Sequence, residues 1–194
     1  MKKQLMLFFT VLLLSVTAIA QTAWVQDPMH SKLGFTVTHL GIADVPGYFD
    51  EYEVTIISSK PDFSDAVIEL TAQTKSINTQ VVPRDNHLRS PDFFDVEKYP
   101  TMTFKSTSIK KLKSVNYELT GDLTIHGVTK QVAVNMLYRG TTANPNANGA
   151  PVAGIQITGT IKRSDFGVGP GFPAPMISDE VRIKADGEFG HKAQ

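Results

Sequence analysis

The feature that most constrains this chain is an alternation of apolar and polar residues with a period of two, which recurs after residue 20. Between Ser31 and His39, the side chains of Leu33, Phe35 and Val37 fall on one face of an extended chain, and the intervening residues are small or polar. An α-helix repeats about every 3.6 residues, so a strict two-residue repeat indicates a strand with one buried face. The chain is therefore predicted to be built from β-strands.

The same alternation predicts further strands at 24–27, 66–72, 102–105, 117–125, 132–138, 155–161 and 181–189, and another near 48–57. These make about eight or nine strands. Turn-forming residues lie between them, including His126-Gly127, Asn148-Gly149 and the run from Gly167 to Gly171. Many antiparallel strands, each with one solvent-exposed face, are typical of a barrel or a sandwich. No shift in composition divides the chain, so we expect one domain.

One segment, residues 82–100, departs from the strand pattern. Pro83 is suited to open a short helical turn through Leu88, and Ser90-Pro91 resembles an N-cap followed by proline at the first helical position. We therefore expect a short helical insert near residues 83–98 that crosses an open end of the β-structure. Its apolar side chains would then point into that opening: Leu88, Phe93, Phe94 and Val96.

The first twenty residues have a different character from the rest of the chain. Lys2 and Lys3 precede an apolar run from Leu5 to Leu14, and Ala18-Ile19-Ala20 forms a small-x-small site. This pattern predicts a secretory signal peptide over 1–20, cleaved before Gln21, and a mature domain over 21–194 in the periplasm or outside the cell. A membrane anchor is the weaker alternative, because it needs roughly 20 apolar residues without a cleavage site.

Composition and spacing remove several classes of function. Without the two leader lysines, the chain has 17 basic and 19 acidic residues, so there is no basic excess for nucleic acid. It has no Cys, which excludes disulfides, thiolate nucleophiles and thiolate metal ligands. No HExxH or G-x-S-x-G motif occurs. We therefore expect no catalytic residue, no metal ligand and no cofactor, with a metal-dependent enzyme as a remote alternative.

Motifs spread over nearly the whole mature chain carry a family resemblance. They are, in order, Trp24 with Asp27-Pro28-Met29-His30-Ser31, Phe35, His39-Leu40-Gly41, Gly47-Tyr48-Phe49, Arg84 to Ser90, Asp92 to Asp95, Tyr99-Pro100, Thr103-Phe104, Gly121 to Lys130, and Arg163 to Gly167. In this order they resemble the YceI-like family. The departures are a longer Thr141 to Pro151 loop and the Gly/Pro-rich run from Gly167 to Pro175.

The resemblance implies an all-β fold, a lipocalin-like antiparallel eight-stranded barrel with the short helical insert. It also implies an exported, non-catalytic protein that binds or carries a long amphiphilic lipid, polyisoprenoid or fatty-acyl, in the barrel interior. The bound lipid is a ligand and not a cofactor. A homodimer and transient membrane contact are further expectations. The alternative function is an exported protein-binding or stress-response module with a packed barrel.

Candidate ligand contacts follow from the inward faces of the predicted strands. The apolar wall and its aromatic cap are predicted to be Leu33, Phe35, Val37, Phe49, Ile68, Leu70, Phe93, Phe94, Phe104, Leu119, Leu123, Ile125, Val134 and Phe166. Ser31 and His39 bracket the first apolar triplet and are candidates for the polar head of the lipid, with Tyr117 and Tyr138 as further candidates.

Small residues on the inward faces determine whether a barrel of this size has room inside. The sequence places Ala72, Gly121, Gly159, Ala185 and Gly187 there, and we expect them to leave space for the ligand. The alternative is that the glycines mark bends or bulges. In the insert, Arg84 and Asp85 are expected to pair and to satisfy loop backbone, and Asp165 is expected to do the same for its turn.

Overall fold

The computed structural model describes residues 21–191, which leaves the predicted signal peptide at 1–20 outside the described residues. Within these residues the structure has eleven strands, one α-helix and three short 3₁₀ turns. The strands are β1 (Thr22–Gln26), β2 (Lys32–His39), β3 (Ala43–Phe49), β4 (Tyr52–Ser58), β5 (Val67–Gln73), β6 (Ile77–Asn78), β7 (Thr101–Lys111), β8 (Asn116–Ile125), β9 (Val128–Asn144), β10 (Ala150–Lys162) and β11 (Glu180–His191). The helix, α1, spans Val82–Arg89.

Eight strand positions close into a ring. Each strand in the order β1-β4-β5-β7-β8-β9-β10-β11 is hydrogen-bonded to the next, and β11 pairs back with β1. The pairings are antiparallel throughout. This closed ring confirms the predicted eight-stranded antiparallel barrel and excludes the alternative fold, a β-sandwich.

Three of the eight positions hold a strand that is interrupted along its length. β1 and β2 follow one another along the same edge of β11. On their other side, β1 pairs with β4 and β2 pairs with β3. The four strands therefore form one long hairpin, with breaks at 27–31 and 50–51. β5 and β6 continue the pattern beside β4 and β3. The stretch near 48–57, predicted as one strand, therefore contains the end of β3 and most of β4. The first half of β3 was not predicted as a strand because it contains Pro46, and proline is unfavourable in strands.

The hairpin turn between β8 and β9 shows how local sequence fixes register. Ile125 pairs with Val128, and the two residues between them, His126 and Gly127, have φ of 52° and 74°. Positive φ at both central positions defines a type I′ turn, which matches the twist of the flanking strands. The predicted His126-Gly127 turn is present.

The insert between β6 and β7 forms one helix and then turns. Val81 is the N-cap of α1, and Ser90 is its C-cap. The hydroxyl of Ser90 donates to the carbonyl of His87 at 2.7 Å, so Ser90 ends a helix and the predicted second helical start at Ser90-Pro91 is wrong. Arg84 donates to the Thr79 hydroxyl and carbonyl at 2.7 and 2.8 Å, and Asp85 accepts from the Thr79 N–H at 2.8 Å. Both side chains fix the loop, through Thr79 and not through a mutual pair.

The walls of the barrel separate in one place. Pairing between β9 and β10 ends at Asn135 and Thr158, although both strands continue toward Val128 and Lys162. Phe166, from the short helical turn that follows β10, is 1% exposed there, with Val132 and Ile161 packed in the same cluster. The Phe166 side chain thus covers the gap between β9 and β10 where the two strands are not paired. No helix within residues 21–191 is long and apolar enough to cross a membrane.

Candidate functional site

A cavity of about 490 Å³ lies inside the barrel, between two hydrophobic clusters. The first cluster closes one end, where Phe63 from the loop between β4 and β5 contacts Trp24 and Tyr138 at ring-centroid distances of 5.1 Å. The second lies toward α1 and includes Leu33, Phe93 and other residues of that end. Phe104 packs against both clusters, so the cavity runs along the barrel from one to the other.

Every residue of the predicted apolar wall and aromatic cap, and both Ser31 and His39, lies on the wall of this cavity, from Ser31 just before β2 to Phe166 after β10. That position agrees with the two-residue repeat, while contact with a ligand stays a prediction. The structure adds wall residues beyond those predicted from sequence: Gln26, Val45, Tyr52, Val54, Ile56, Met102, Val132, Ile155, Ile157, Val168, Phe172, Ile177, Val181, Ile183 and Phe189. Several of them alternate on strands whose inner faces were recognised, and that same signal would have found them.

The cavity reaches the surface at the end that carries α1. His39 and Met176 are exposed and also line the cavity. The N–H of Leu40 donates to the carbonyl of Met176 at 3.1 Å, which ties the turn between β2 and β3 to the loop 167–179. Beside this opening, the rings of Phe93 and Phe172 stack at 4.8 Å and meet the edge of His87. We call this region the mouth.

Arg163 fixes one side of the mouth, a role that sequence reasoning assigned to Asp165. Its guanidinium is buried and donates to the carbonyls of Val168, Gly169 and Ser178 at 2.9, 2.6 and 3.1 Å, and also to those of Phe172 and Ile177. Asp165 is exposed. One side chain thereby satisfies backbone carbonyls along 168–178, which no local motif reveals.

Within residues 21–191, two buried side-chain polar atoms have no hydrogen-bond partner, and both belong to residues of the cavity wall. They are Oε1 of Gln26 and the hydroxyl of Tyr52, both buried. Nε2 of Gln26 donates to the carbonyl of Tyr52 at 2.7 Å. Burial raises the pKa of the Tyr52 hydroxyl, so it stays protonated and neutral. The rest of the wall is predominantly apolar.

The further polar candidates have other positions. The Tyr117 hydroxyl donates to the carbonyl of Asp62 at 2.6 Å, and that of Tyr138 bonds with the Thr141 hydroxyl at 2.8 Å. Both rings belong to the closed end and neither lines the cavity, so their assignment to the lipid head is wrong. Ser31 does line it and is 6% exposed.

The expectation that Gly121 and Gly159 leave room for a ligand is also wrong. A Cβ on Gly121 would lie 2.5 Å from the Phe104 ring, and one on Gly159 would lie 2.7 Å from a methyl group of Val134. The space beside these glycines is filled by side chains of the neighbouring strands. Of the five small residues, Ala185 and Gly187 line the cavity.

One cluster of possible metal ligands forms at the break between β1 and β2. The ligand atoms of Asp27, His30 and Glu188 lie within 4.8 Å of one another. His30 bonds to Asp27 at 2.8 Å; this raises the pKa of His30 and lowers that of Asp27. A search for metal-ligand spacing in the sequence does not find this group, because Glu188 is remote from Asp27 and His30. The exposed ion pair between His30 and Asp27 explains why these side chains lie together, and no metal is needed for that.

Comparison with known proteins finds similar sequences and structures over most of the chain. The sequence model for the YceI-like domain matches residues 24–189. The UPF0312 protein SA2479 of Staphylococcus aureus (strain N315) is 35% identical over 167 residues, which are 84% of this chain and 94% of that protein.

Several solved structures are similar to this chain, among them three from Campylobacter, Burkholderia and Saccharophagus species. The YCEI protein of Campylobacter jejuni has 32% identity and a TM-score of 0.74, covering 80% of this chain and 90% of its own. BcnA of Burkholderia cenocepacia has 26% identity and a TM-score of 0.73, covering 84% and 98%. A polyisoprenoid binding domain from Saccharophagus degradans shares the fold, with 14% identity, a TM-score of 0.66 and coverage of 89% and 100%.

Proposed function

This chain belongs to the YceI-like domain family, and from that premise we propose that it binds a long-chain amphiphilic lipid, of polyisoprenoid or fatty-acyl type, inside the barrel. The observation that carries the proposal is the apolar cavity of about 490 Å³ between the two clusters. Its size falls in the range of roughly 300–1,000 Å³ that small-molecule pockets occupy. The similar domain from Saccharophagus degradans, described as polyisoprenoid binding, supports this choice of ligand class.

The energetics favour an apolar chain as the occupant. Each buried methylene contributes about 0.8 kcal/mol, so ten of them supply roughly 8 kcal/mol before the cost of association. The wall from Leu33 to Phe104 offers apolar side chains on both sides of such a chain. Binding of this kind needs no catalytic group, and the proposed activity is carriage or storage without chemistry.

We propose that the lipid enters and leaves through the mouth, with the rim in transient contact with a membrane. The turn between β2 and β3 exposes Leu40 and Ile42 to 53% and 85%, and Met176 beside them is 46% exposed. Because Met176 also lines the cavity, these side chains form an apolar path from the surface inward. Together we call Leu40, Ile42 and Met176 the rim. Export to the periplasm or outside the cell, and a homodimer, stay predictions.

The test is native mass spectrometry of the purified protein, with organic extraction and identification of any lipid released. We expect a bound lipid at substoichiometric to full occupancy. Replacing Ala185 with phenylalanine would add a ring to the cavity wall and should reduce the retained lipid, while Ala143→Phe, on the exposed end of β9, should retain it. A wild-type protein that is lipid-free and binds no added prenyl or acyl chain would contradict the proposal and favour a protein-binding module.

A further inference from the structure

The cavity ends abruptly toward the closed end of the barrel. On each of β8, β9 and β10, the inward side chains line the cavity up to one position, and the next inward side chain is buried and does not line it. The last lining residues are Leu119, Val134 and Ile155, and the next inward residues are Tyr117, Met136 and Ala153. Together with Trp24 and Phe63 of the same cluster, we call Tyr117, Met136 and Ala153 the floor.

Hydrogen bonds hold the floor in place from below. Phe63 is 1% exposed and comes from the loop between β4 and β5. The Tyr117 hydroxyl donates to the carbonyl of Asp62 at 2.6 Å, next to Phe63. In the same loop, the carboxylate of Asp65 accepts from the Ser58 hydroxyl at 2.6 Å. Closely packed and anchored side chains yield little to an incoming group, so the floor is a fixed stop.

The polarity of the wall differs between the two ends of the cavity. Ile56 and Leu119 lie beside the floor and are apolar, whereas Arg84, His87 and Arg163 line the cavity at the end that carries α1. A polar or charged head group is unfavourable in apolar surroundings without partners. An amphiphilic ligand therefore enters with its tail toward the floor and keeps its head at the mouth.

The volume between the floor and the mouth limits how much of a tail is buried. A water molecule in the liquid occupies roughly 30 Å³, and a methylene group has a similar size. By this measure the cavity of about 490 Å³ holds roughly sixteen methylene groups. One acyl chain of that length fits, and two such chains do not.

We propose that the floor sets the length of tail that the barrel buries, and that the preferred ligand is a single-chain lipid with a tail of roughly sixteen carbons. This rests on the proposed function and narrows its ligand class. The tail end contacts the floor, and any further carbons remain outside the cavity.

The first experiment measures the affinity of lipid-free protein for saturated fatty acids from dodecanoate to docosanoate, below their aggregation concentrations. Each added carbon should strengthen binding about fourfold while it is buried, which corresponds to about 0.8 kcal/mol per methylene. The gain should stop near hexadecanoate, because further carbons stay at the mouth. Affinity that keeps rising to docosanoate would overturn the length limit and leave lipid binding standing. Binding of no fatty acid or added prenyl chain would overturn both proposals.

A variant at the floor moves the limit. Leu119→Ala removes a side chain from the wall just above Tyr117 and opens room for a few carbons, so the gain should continue to about octadecanoate. Leu112→Ala is the matched control, since Leu112 is 50% exposed outside the barrel at the same end, and its limit should stay near hexadecanoate. A folded Leu119→Ala protein with an unchanged limit would contradict the role of the floor.

The wild type provides a second readout that needs no variant. Trp24 is the single tryptophan of the chain and belongs to the floor. Bromine quenches tryptophan fluorescence at short range, so bound ω-bromohexadecanoate, labelled at the tail end, should quench most of the Trp24 emission. Bound α-bromohexadecanoate, labelled beside the head, should leave most of it. Equal quenching by the two acids, or stronger quenching by the α-bromo acid, would refute the contact between tail and floor.

Discussion

At the scale of single residues, close packing decides the role of a glycine on an inward face. A two-residue repeat predicts that position 121 faces inward, and the direction is correct. The Phe104 side chain from the neighbouring strand occupies the space beside Gly121, and the carbonyl of Lys105 would lie 2.6 Å from a Cβ at this position. The glycine therefore lets an aromatic ring cross the strand and leaves no empty volume.

Gly121→Leu should destabilise the protein by roughly 1–3 kcal/mol, because a larger side chain must displace the ring or the backbone. Urea unfolding measures the change. Gly171→Leu is the matched control, since nothing lies within 4 Å of a Cβ there, and it should have little effect. Equal stability of the two variants would show that the barrel relaxes around position 121.

A second residue-scale prediction concerns Asp65, in the loop that carries Phe63. Burial raises the pKa of this carboxyl, but hydrogen bonds from the Ser58 and Ser59 hydroxyls and from the N–H groups of Ser59 and Lys60 outweigh it and lower the pKa to about 2. The unfolded value is about 3.9. The carboxylate therefore stabilises the fold above about pH 4, and this contribution is lost as the pH falls through about 2.

The stability difference between wild type and Asp65→Asn should be roughly 1–2 kcal/mol at neutral pH and should shrink toward pH 2. Chemical unfolding across that range measures it. Asp165→Asn, which changes an exposed carboxylate, should show a much smaller difference. A difference for Asp65→Asn that stays constant with pH would contradict the assignment.

At the scale of elements, long irregular segments depend on single anchoring side chains. The loop 167–179 forms much of the mouth, yet it has little regular structure of its own. Arg163 compensates by donating to five of its carbonyls, and Asp179 accepts from the N–H and hydroxyl of Ser164 at 3.0 and 2.8 Å. The insert 79–100 is fixed in the same manner by Arg84 and Asp85 on Thr79.

Arg163→Met should cost about 2–4 kcal/mol, since it leaves buried carbonyls without donors. It should also loosen the mouth and speed the release of bound lipid. Arg182→Met removes an exposed ion pair with Asp44 and should cost less than about 1 kcal/mol. Thermal unfolding and lipid release rates for the two variants test this, and similar losses in both would argue against the anchoring role.

At the scale of the whole molecule, the barrel has two different ends. Phe63, Trp24 and Tyr138 close one end with aromatic rings, and the other end holds the mouth and its exposed rim. A closed base and an open, apolar rim suit a carrier that loads from one side.

The double variant Leu40→Ser with Ile42→Ser should lower affinity for lipid vesicles by about tenfold or more, because each apolar side chain contributes roughly 1.5–3 kcal/mol on burial. Binding of soluble, short-chain ligands should be unchanged. Leu112→Ser with Val115→Ser is the matched control, with two exposed apolar residues in the β7–β8 turn at the closed end. Equal vesicle binding by both double variants would exclude the rim as the membrane contact.

The sequence by itself determined most of the strands, their inward faces and the β8–β9 turn, because a two-residue repeat and positive-φ turn chemistry are local properties. It did not determine the break at 50–51 or the two-residue strand β6. The tertiary structure alone decided what depends on neighbours across the barrel. Phe104 fills the space beside Gly121, Arg163 reaches carbonyls along 168–178, and Gln26 and Tyr52 meet at a break in one hairpin. Such contacts join residues that are distant in sequence. A local sequence pattern cannot predict them, because the strands become neighbours only when the barrel closes.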